Sequence, residues 1–236
     1  GSVVLSNSPT LVTPTLGVAT ATSLNNLTVG RGLGNLSSNT VLGESAFSSN
    51  SSGTNNTAVG FQALYNNTTG TNNTAVGYQA MTTATDTESV AVGSVALAVA
   101  SGGRNIAVGN YSLTANTTGS SNVAVGRNTL YGNTTGAYNT SVGTDSLYSN
   151  TTASNNTAVG YNAGYGNTTG AANTFIGRSA GASVTTGNDN TAVGYGTLNG
   201  ASGSGSCNAA FGEFALTANT SGSYNTALGT SALQSN

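Results

Sequence analysis

Short apolar segments recur along this chain, separated by polar tracts of almost constant length. A small–apolar pair ends on glycine at Gly43, Gly60, Gly77, Gly93, Gly109, Gly126, Gly143, Gly160, Gly177, Gly194, Gly212 and Gly229; most steps are 17 residues, two are 16 and one is 18. A second apolar position lies four residues after most of these glycines, as at Leu64, Leu97, Leu113, Leu130 and Leu147. Between units runs a turn-like tract such as Asn66-Asn67-Thr68-Thr69-Gly70. The period is too short for a helix pair, which takes roughly 33 residues in common arrays. It suits one coil of a parallel β-solenoid, with equivalent positions stacked about 4.8 Å apart. The expected fold is therefore all-β: a parallel β-solenoid, or β-roll, of about twelve 17-residue coils.

Each position in the unit has its own chemistry. The residue before the glycine is apolar and often β-branched, as at Val59, Val76 and Val125, which favours strand. These side chains, together with Leu64 and Leu130 and their equivalents, are expected to form the inner ladders. Asn stands four before the glycine, as at Asn56, Asn73 and Asn156, and is expected to stack at a corner and pass hydrogen bonds between coils. Gly60, Gly77, Gly126, Gly143 and Gly160 permit a sharp bend or close backbone approach after the strand. By alternation Thr57 and Val59 share one face, and Ala58 and Gly60 the other. Neither face is charged. The Ala/Gly face is expected to pack on copies of the same chain, in an intertwined or side-by-side homotrimer.

The repeat array spans residues 39–236. Residues 3–38 lack it; Pro9 and Pro14 punctuate a Ser/Thr/Val stretch that reads as an extended N-terminal cap or shaft-connecting segment, and residues 1–2 as a cloning scar. Charged residues are only 4% of the chain and the net charge is −2, which disfavours nucleic acid and anionic membranes as partners. No apolar run is long enough for membrane insertion as a helix. Cys207 is the single cysteine, read as a small buried or half-buried thiol, with a reactive thiol as the alternative. There is no His, which removes a Ser-His-Asp triad and imidazole metal ligands. Asp86 and Glu88 are the one close carboxylate pair; they read as solvated loop charges, with calcium as the alternative. No catalytic residue, metal site or cofactor is expected.

The variable positions carry what specificity the surface can have. The residue after each glycine ranges from Glu44 to Phe61, Tyr78, Arg127 and Tyr161, which marks an outward row. Five after the glycine stand Tyr65, Tyr131, Tyr148 and Tyr165. These tyrosines offer candidate contacts for sugar rings, or else shield the turns as outer ladder residues. Glu44, Asp145, Asp189 and Glu213 fall in different coils at different phases, unlike the paired carboxylates of a glycan hydrolase or lyase. Thr57, Thr74, Thr140, Thr157, Thr174 and Thr191 recur as an ice- or crystal-binding ladder would, but Val90, Ile106, Val123 and Ala209 interrupt them, and the row is expected to face inward.

The unit Asn72-Asn73-Thr74-Ala75-Val76-Gly77-Tyr78-Gln79-Ala80 resembles repeats in bacteriophage tail fibres and in the chimeric fibre proteins of predatory bacteria. It is also similar to the shorter head repeats of trimeric autotransporter adhesins. The leader Ser8-Pro9-Thr10-Leu11-Val12-Thr13-Pro14-Thr15-Leu16-Gly17 resembles a segment common in phage tail-fibre proteins. The resemblance implies a trimeric extracellular, cell-surface or virion fibre that contributes to recognition of a host or prey cell, through a bacterial surface glycan or another envelope receptor.

Overall fold

A computed structural model describes residues 28–31, 36, 38–200 and 203–235; the proline-containing leader lies outside them. Thirteen strands form one sheet among these residues: β1 (Thr28–Gly30), β2 (Thr40–Gly43), β3 (Thr57–Val59), β4 (Thr74–Val76), β5 (Val90–Val92), β6 (Ile106–Val108), β7 (Val123–Val125), β8 (Thr140–Val142), β9 (Thr157–Val159), β10 (Thr174–Ile176), β11 (Thr191–Val193), β12 (Ala209–Phe211) and β13 (Thr226–Leu228). From β2 to β13 every pairing is parallel and follows chain order. The architecture is thus a parallel β-solenoid with a coil of about 17 residues and no helix among the described residues. β1 alone runs antiparallel, with Thr28 opposite Gly43.

The register survives the irregular steps. Thr74 lies opposite Val90 across a 16-residue step, and Val193 opposite Phe211 across the 18-residue one. Length changes are absorbed in the turn tracts, because a one-residue slip in the strand would turn its core face outward.

The strand faces are the reverse of the expected arrangement. Ala58, Ala75, Ala91, Ala107, Ala124, Ala158, Ala192 and Ala210 have no exposed surface and form the core row. Val59 and Val76 are half-buried and Val125 is exposed, so the branched row looks outward together with the threonines. Leu64 and Leu130 are fully buried, as expected, and face the alanines from inside the same coil. The physical reason is width. One coil encloses room for a leucine on one wall and little more than a methyl group on the other. The Ala face therefore cannot be a contact between chains, because each chain buries it alone.

Two buried asparagine ladders hold the corners. In the first, the Asn56 amide N–H donates to Asn39 Oδ1 at 2.9 Å, and the Asn73 amide N–H to Asn56 Oδ1 at 3.0 Å. The Asn56 carboxamide also donates to the Gly70 carbonyl at 2.8 Å. The pattern recurs at Asn156, which donates to the Gly170 carbonyl at 2.9 Å. Sequence reading missed the second ladder, seven residues after the glycine. There Asn133 Nδ2 donates to Asn116 Oδ1, and Asn150 Nδ2 to Asn133 Oδ1, each at 2.8 Å; Asn167 Nδ2 reaches Asn150 Oδ1 at 3.1 Å. Val184 occupies the next rung and cannot donate, so Asn167 Oδ1 is left without a partner. Recurrence of Asn at 50, 67, 116, 133, 150, 167 and 219 was the available signal.

The turn after each strand is built from left-handed backbone. Gln62 and Leu64 both have φ 53°; Asn128 and Leu130 have 54° and 50°. Such residues cost roughly 1–2 kcal/mol each in isolation. Here they aim successive amides in opposite directions along the axis. Gln62 donates back to the Glu44 carbonyl at 3.0 Å, and Leu64 donates forward to the Ala80 carbonyl at 3.0 Å. Each coil is thereby bonded on both sides through its turns as well as its strand.

Candidate functional surface

Every repeated inward side chain is committed to the fold, so chemistry must lie on the outer rows. The −1 row is the longest of these. Leu42, Val92, Val125, Val159, Ile176 and Phe211 are each between 36% and 42% exposed, Leu228 in the last described coil is 81% exposed, and Val59, Val76, Val108, Val142 and Val193 complete the line at partial exposure. The Thr row two residues earlier shares this face: Thr57, Thr74, Thr140, Thr157, Thr174 and Thr191 are half-buried and point outward, not inward. The result is an uncharged face running the length of the sheet.

A second region lies on the turns of three successive coils. Tyr131, Tyr148 and Tyr165 stack as a column, with ring centroids 5.1 Å apart in both pairs and interplanar angles of 4° and 9°. Stacking follows from the solenoid: identical side chains at one coil position meet ring on ring. Three residues earlier in the same coils stand Asn128, Asp145 and Asn162, and Asn128 Nδ2 donates to Asp145 Oδ1 at 2.9 Å. Asn162 Oδ1 is buried without a partner. Tyr161 is exposed one residue before it. This patch brings four of the six candidate glycan contacts into neighbouring coils. Tyr65 lies apart, and Tyr78 stacks on Phe61 at a centroid distance of 5.4 Å. The column tyrosines cover one another's faces, which leaves their edges and hydroxyl groups as the exposed part of the patch.

No protein-family model matches the chain, and no curated protein or solved structure shows significant similarity to it. The surface must therefore be read from its own chemistry. Arg178 lies over the Tyr195 ring at 5.2 Å, and the ring of Tyr195 is tilted against Phe214, so further aromatic contacts continue along the outer turns.

The one close carboxylate pair is split by the fold. Glu88 is exposed and receives a 2.9 Å bond from Arg104 Nε. Asp86 is not a solvated loop charge: it is 1% exposed and faces the core. The two carboxylates thus lie in different surroundings, one buried and one on the surface. Ser89 Oγ donates to Asp86 Oδ2 at 2.7 Å, while Oδ1 has no partner. Burial pushes the Asp86 carboxyl up to about 6, against smaller opposing effects of the Ser89, Asn105 and Thr87 hydrogen bonds. The site is a local exchange in both ladders. Asp86 stands where Gly70 and Gly102 stand in neighbouring coils, Ala84 replaces the second-ladder Asn, and Ser89 replaces the first-ladder Asn. Ser89 Oγ still accepts the Asn105 amide at 3.0 Å, so the corner stays bonded. Around this corner Thr87, Gly103, Arg104 and Ser120 line a shallow polar cleft. Cys207 is half-buried. Its neighbours Ala201 and Ser202 lie outside the described residues.

Proposed function

We propose that the chain is a structural and adhesive segment of a homotrimeric extracellular fibre, not an enzyme, and that the outward Thr/Val face is where the copies meet. The observation that carries this reading is the continuous apolar −1 row. The largest apolar patch on a typical soluble monomer is about 300–600 Å² and often functional. Twelve coils at about 4.8 Å per strand, two side chains wide, give a face of about 500 Å². Its lack of charge lets identical copies approach without repulsion, and cyclic closure covers it on every copy. The fibre reading also draws on the resemblance of the Asn-Thr-Ala-Val-Gly-Tyr unit to tail-fibre and adhesin repeats. The tyrosine and amide patch around Tyr148 is the surface best suited to a bacterial glycan in such a fibre.

Light scattering on the purified chain at micromolar concentration tests the assembly. Three times the chain mass is the expected result; a monomer sinks the proposal. A glycan array on the intact assembly then separates a binding segment from a spacer.

The outward Thr row also supports a second reading, an ice- or crystal-binding face. Thermal hysteresis in millimolar solutions of the chain, with the face uncovered in a monomer, would favour it over the fibre.

A further inference from the structure

The chain contains ten tyrosines, and three of them differ from the rest in one respect. Among the described residues, Tyr131, Tyr148 and Tyr165 are the tyrosines stacked on another tyrosine. Tyr78 stacks on Phe61 and Tyr195 leans on Phe214, so neither has a phenol beside it. Tyr131 and Tyr165 are 37% and 39% exposed, and Tyr148 is half-buried between them. The column is thus open to solvent along one edge while its rings are held in near-parallel contact. It lies on the turn, away from the Thr/Val face.

We propose that this column is a site of oxidative cross-linking, at which stacked tyrosines of adjacent coils couple into dityrosine. The oxidant is hydrogen peroxide acting through a haem peroxidase. Each of two phenols loses one electron and its phenolic proton, and the peroxide is reduced to two waters. The radical density reaches the carbons ortho to oxygen. One carbon–carbon bond forms between ortho carbons of neighbouring rings. The two ortho hydrogens then move to the phenol oxygens and restore both aromatic systems. The net change is loss of two hydrogens per link.

Geometry decides which partners combine. A radical on any column ring already has a phenol at a centroid distance of 5.1 Å. Tethering on adjacent coils corresponds to an effective concentration in at least the millimolar range, far above a separate assembly at micromolar concentration, and in the proposed trimer the copies meet on the Thr/Val face, away from the column. The rings must swing from face-to-face to edge-to-edge, which the open edge of the column permits. The product joins residues 17 positions apart and staples one coil to the next, as Tyr131–Tyr148 or Tyr148–Tyr165.

The experiment treats the full chain at low micromolar concentration with peroxidase and hydrogen peroxide. It follows the blue dityrosine fluorescence, the denaturing-gel mass and the peptide masses. Arg127 and Arg178 bracket the column with no basic residue between them, so trypsin releases residues 128–178 as one peptide. That peptide is expected to lose two hydrogens, with fragmentation placing the link at Tyr148, and the chain is expected to run as a monomer on the gel. Tyr148→Phe keeps the stack, as Phe61 does with Tyr78, but separates the remaining column phenols by two coils. Its dityrosine yield should fall at least about fivefold. Tyr138→Phe removes a more exposed tyrosine off the column and should leave the yield unchanged. The proposal is overturned by wild-type yield in Tyr148→Phe, by links that map to Tyr138 or Tyr224, or by products that join separate chains.

Discussion

At the scale of single residues, the glycine column shows how closely the coils approach. Gly143 has φ 127°, and a Cβ there would lie 2.5 Å from the Gly160 carbonyl oxygen in the next coil. Gly229, in the last described coil, has φ 119° but no atom within 4 Å of such a Cβ. The backbone demand is common to both positions and the steric block only to the first. Gly143→Ala should therefore cost about 3 kcal/mol or more, and Gly229→Ala about 1–2 kcal/mol, measured by thermal or denaturant unfolding. Equal costs would show that conformation, not coil contact, requires the glycine. Asp86 makes a different point. Its carboxyl is raised from 3.8 to about 6 in the fold. Between these values the native chain binds more protons than the unfolded chain. Stability is then greatest below about pH 4, and is lost as pH rises through about 6. The integrated loss is at most about 3 kcal/mol, at about 1.4 kcal/mol per unit. Asp86→Asn should flatten this pH dependence and raise the melting temperature at pH 8. An unchanged slope would mean that another group carries it.

At the scale of the element, each coil is a volume balance between its −2 and +4 positions. The coil whose strand ends at Gly177 departs from the Ala-and-Leu rule and shows the balance at work. Phe175 replaces the core alanine and is fully buried, while Gly164 and Gly181 replace leucines in its own coil and the one before. A Cβ at Gly164 would come within 2.6 Å of Phe175 Cδ2, and one at Gly181 would overlap the same ring. The large residue has moved to the opposite wall of the coil. Phe175→Ala alone should cost about 3–5 kcal/mol through the cavity it leaves. Gly181→Leu alone should overpack and also destabilise. Phe175→Ala combined with Gly164→Leu and Gly181→Leu should recover most of the loss. A thermal-unfolding cycle over these variants measures the coupling, and simple additivity would contradict the balance. The balance also explains why one expectation failed. Hydrophobicity ranks Val above Ala, so the valines were assigned to the inside. Both strand faces are uncharged, and polarity could not choose between them. The deciding cue was parity: buried Asn56 and Ala58 lie two residues apart on one face, which leaves Val59 on the other.

At the scale of the whole molecule, the consequence of that reversal is an outward apolar stripe. Replacing Val125 and Val159 with Asp places two charges on the proposed contact without touching the core, since both side chains are already partly exposed. The doubly substituted chain should keep its β-rich circular dichroism and lose its trimeric mass in light scattering. Each buried carboxylate without a partner costs an interface several kcal/mol. A trimer that persists would move the contact to another face.

Periodicity, strand position, the first Asn ladder and the buried leucines were all legible in the sequence. They follow from local rules, since a 17-residue repeat with β-branched residues, turn residues and regular glycines has few ways to close on itself. The tyrosines at 131, 148 and 165 were legible as a row, but their stacking depended on the register between coils. Which strand face became the core was decided only in three dimensions. The coil's interior accepts leucine against alanine and no more, and that limit is set by the distance between two walls of one turn, which no single position along the chain records.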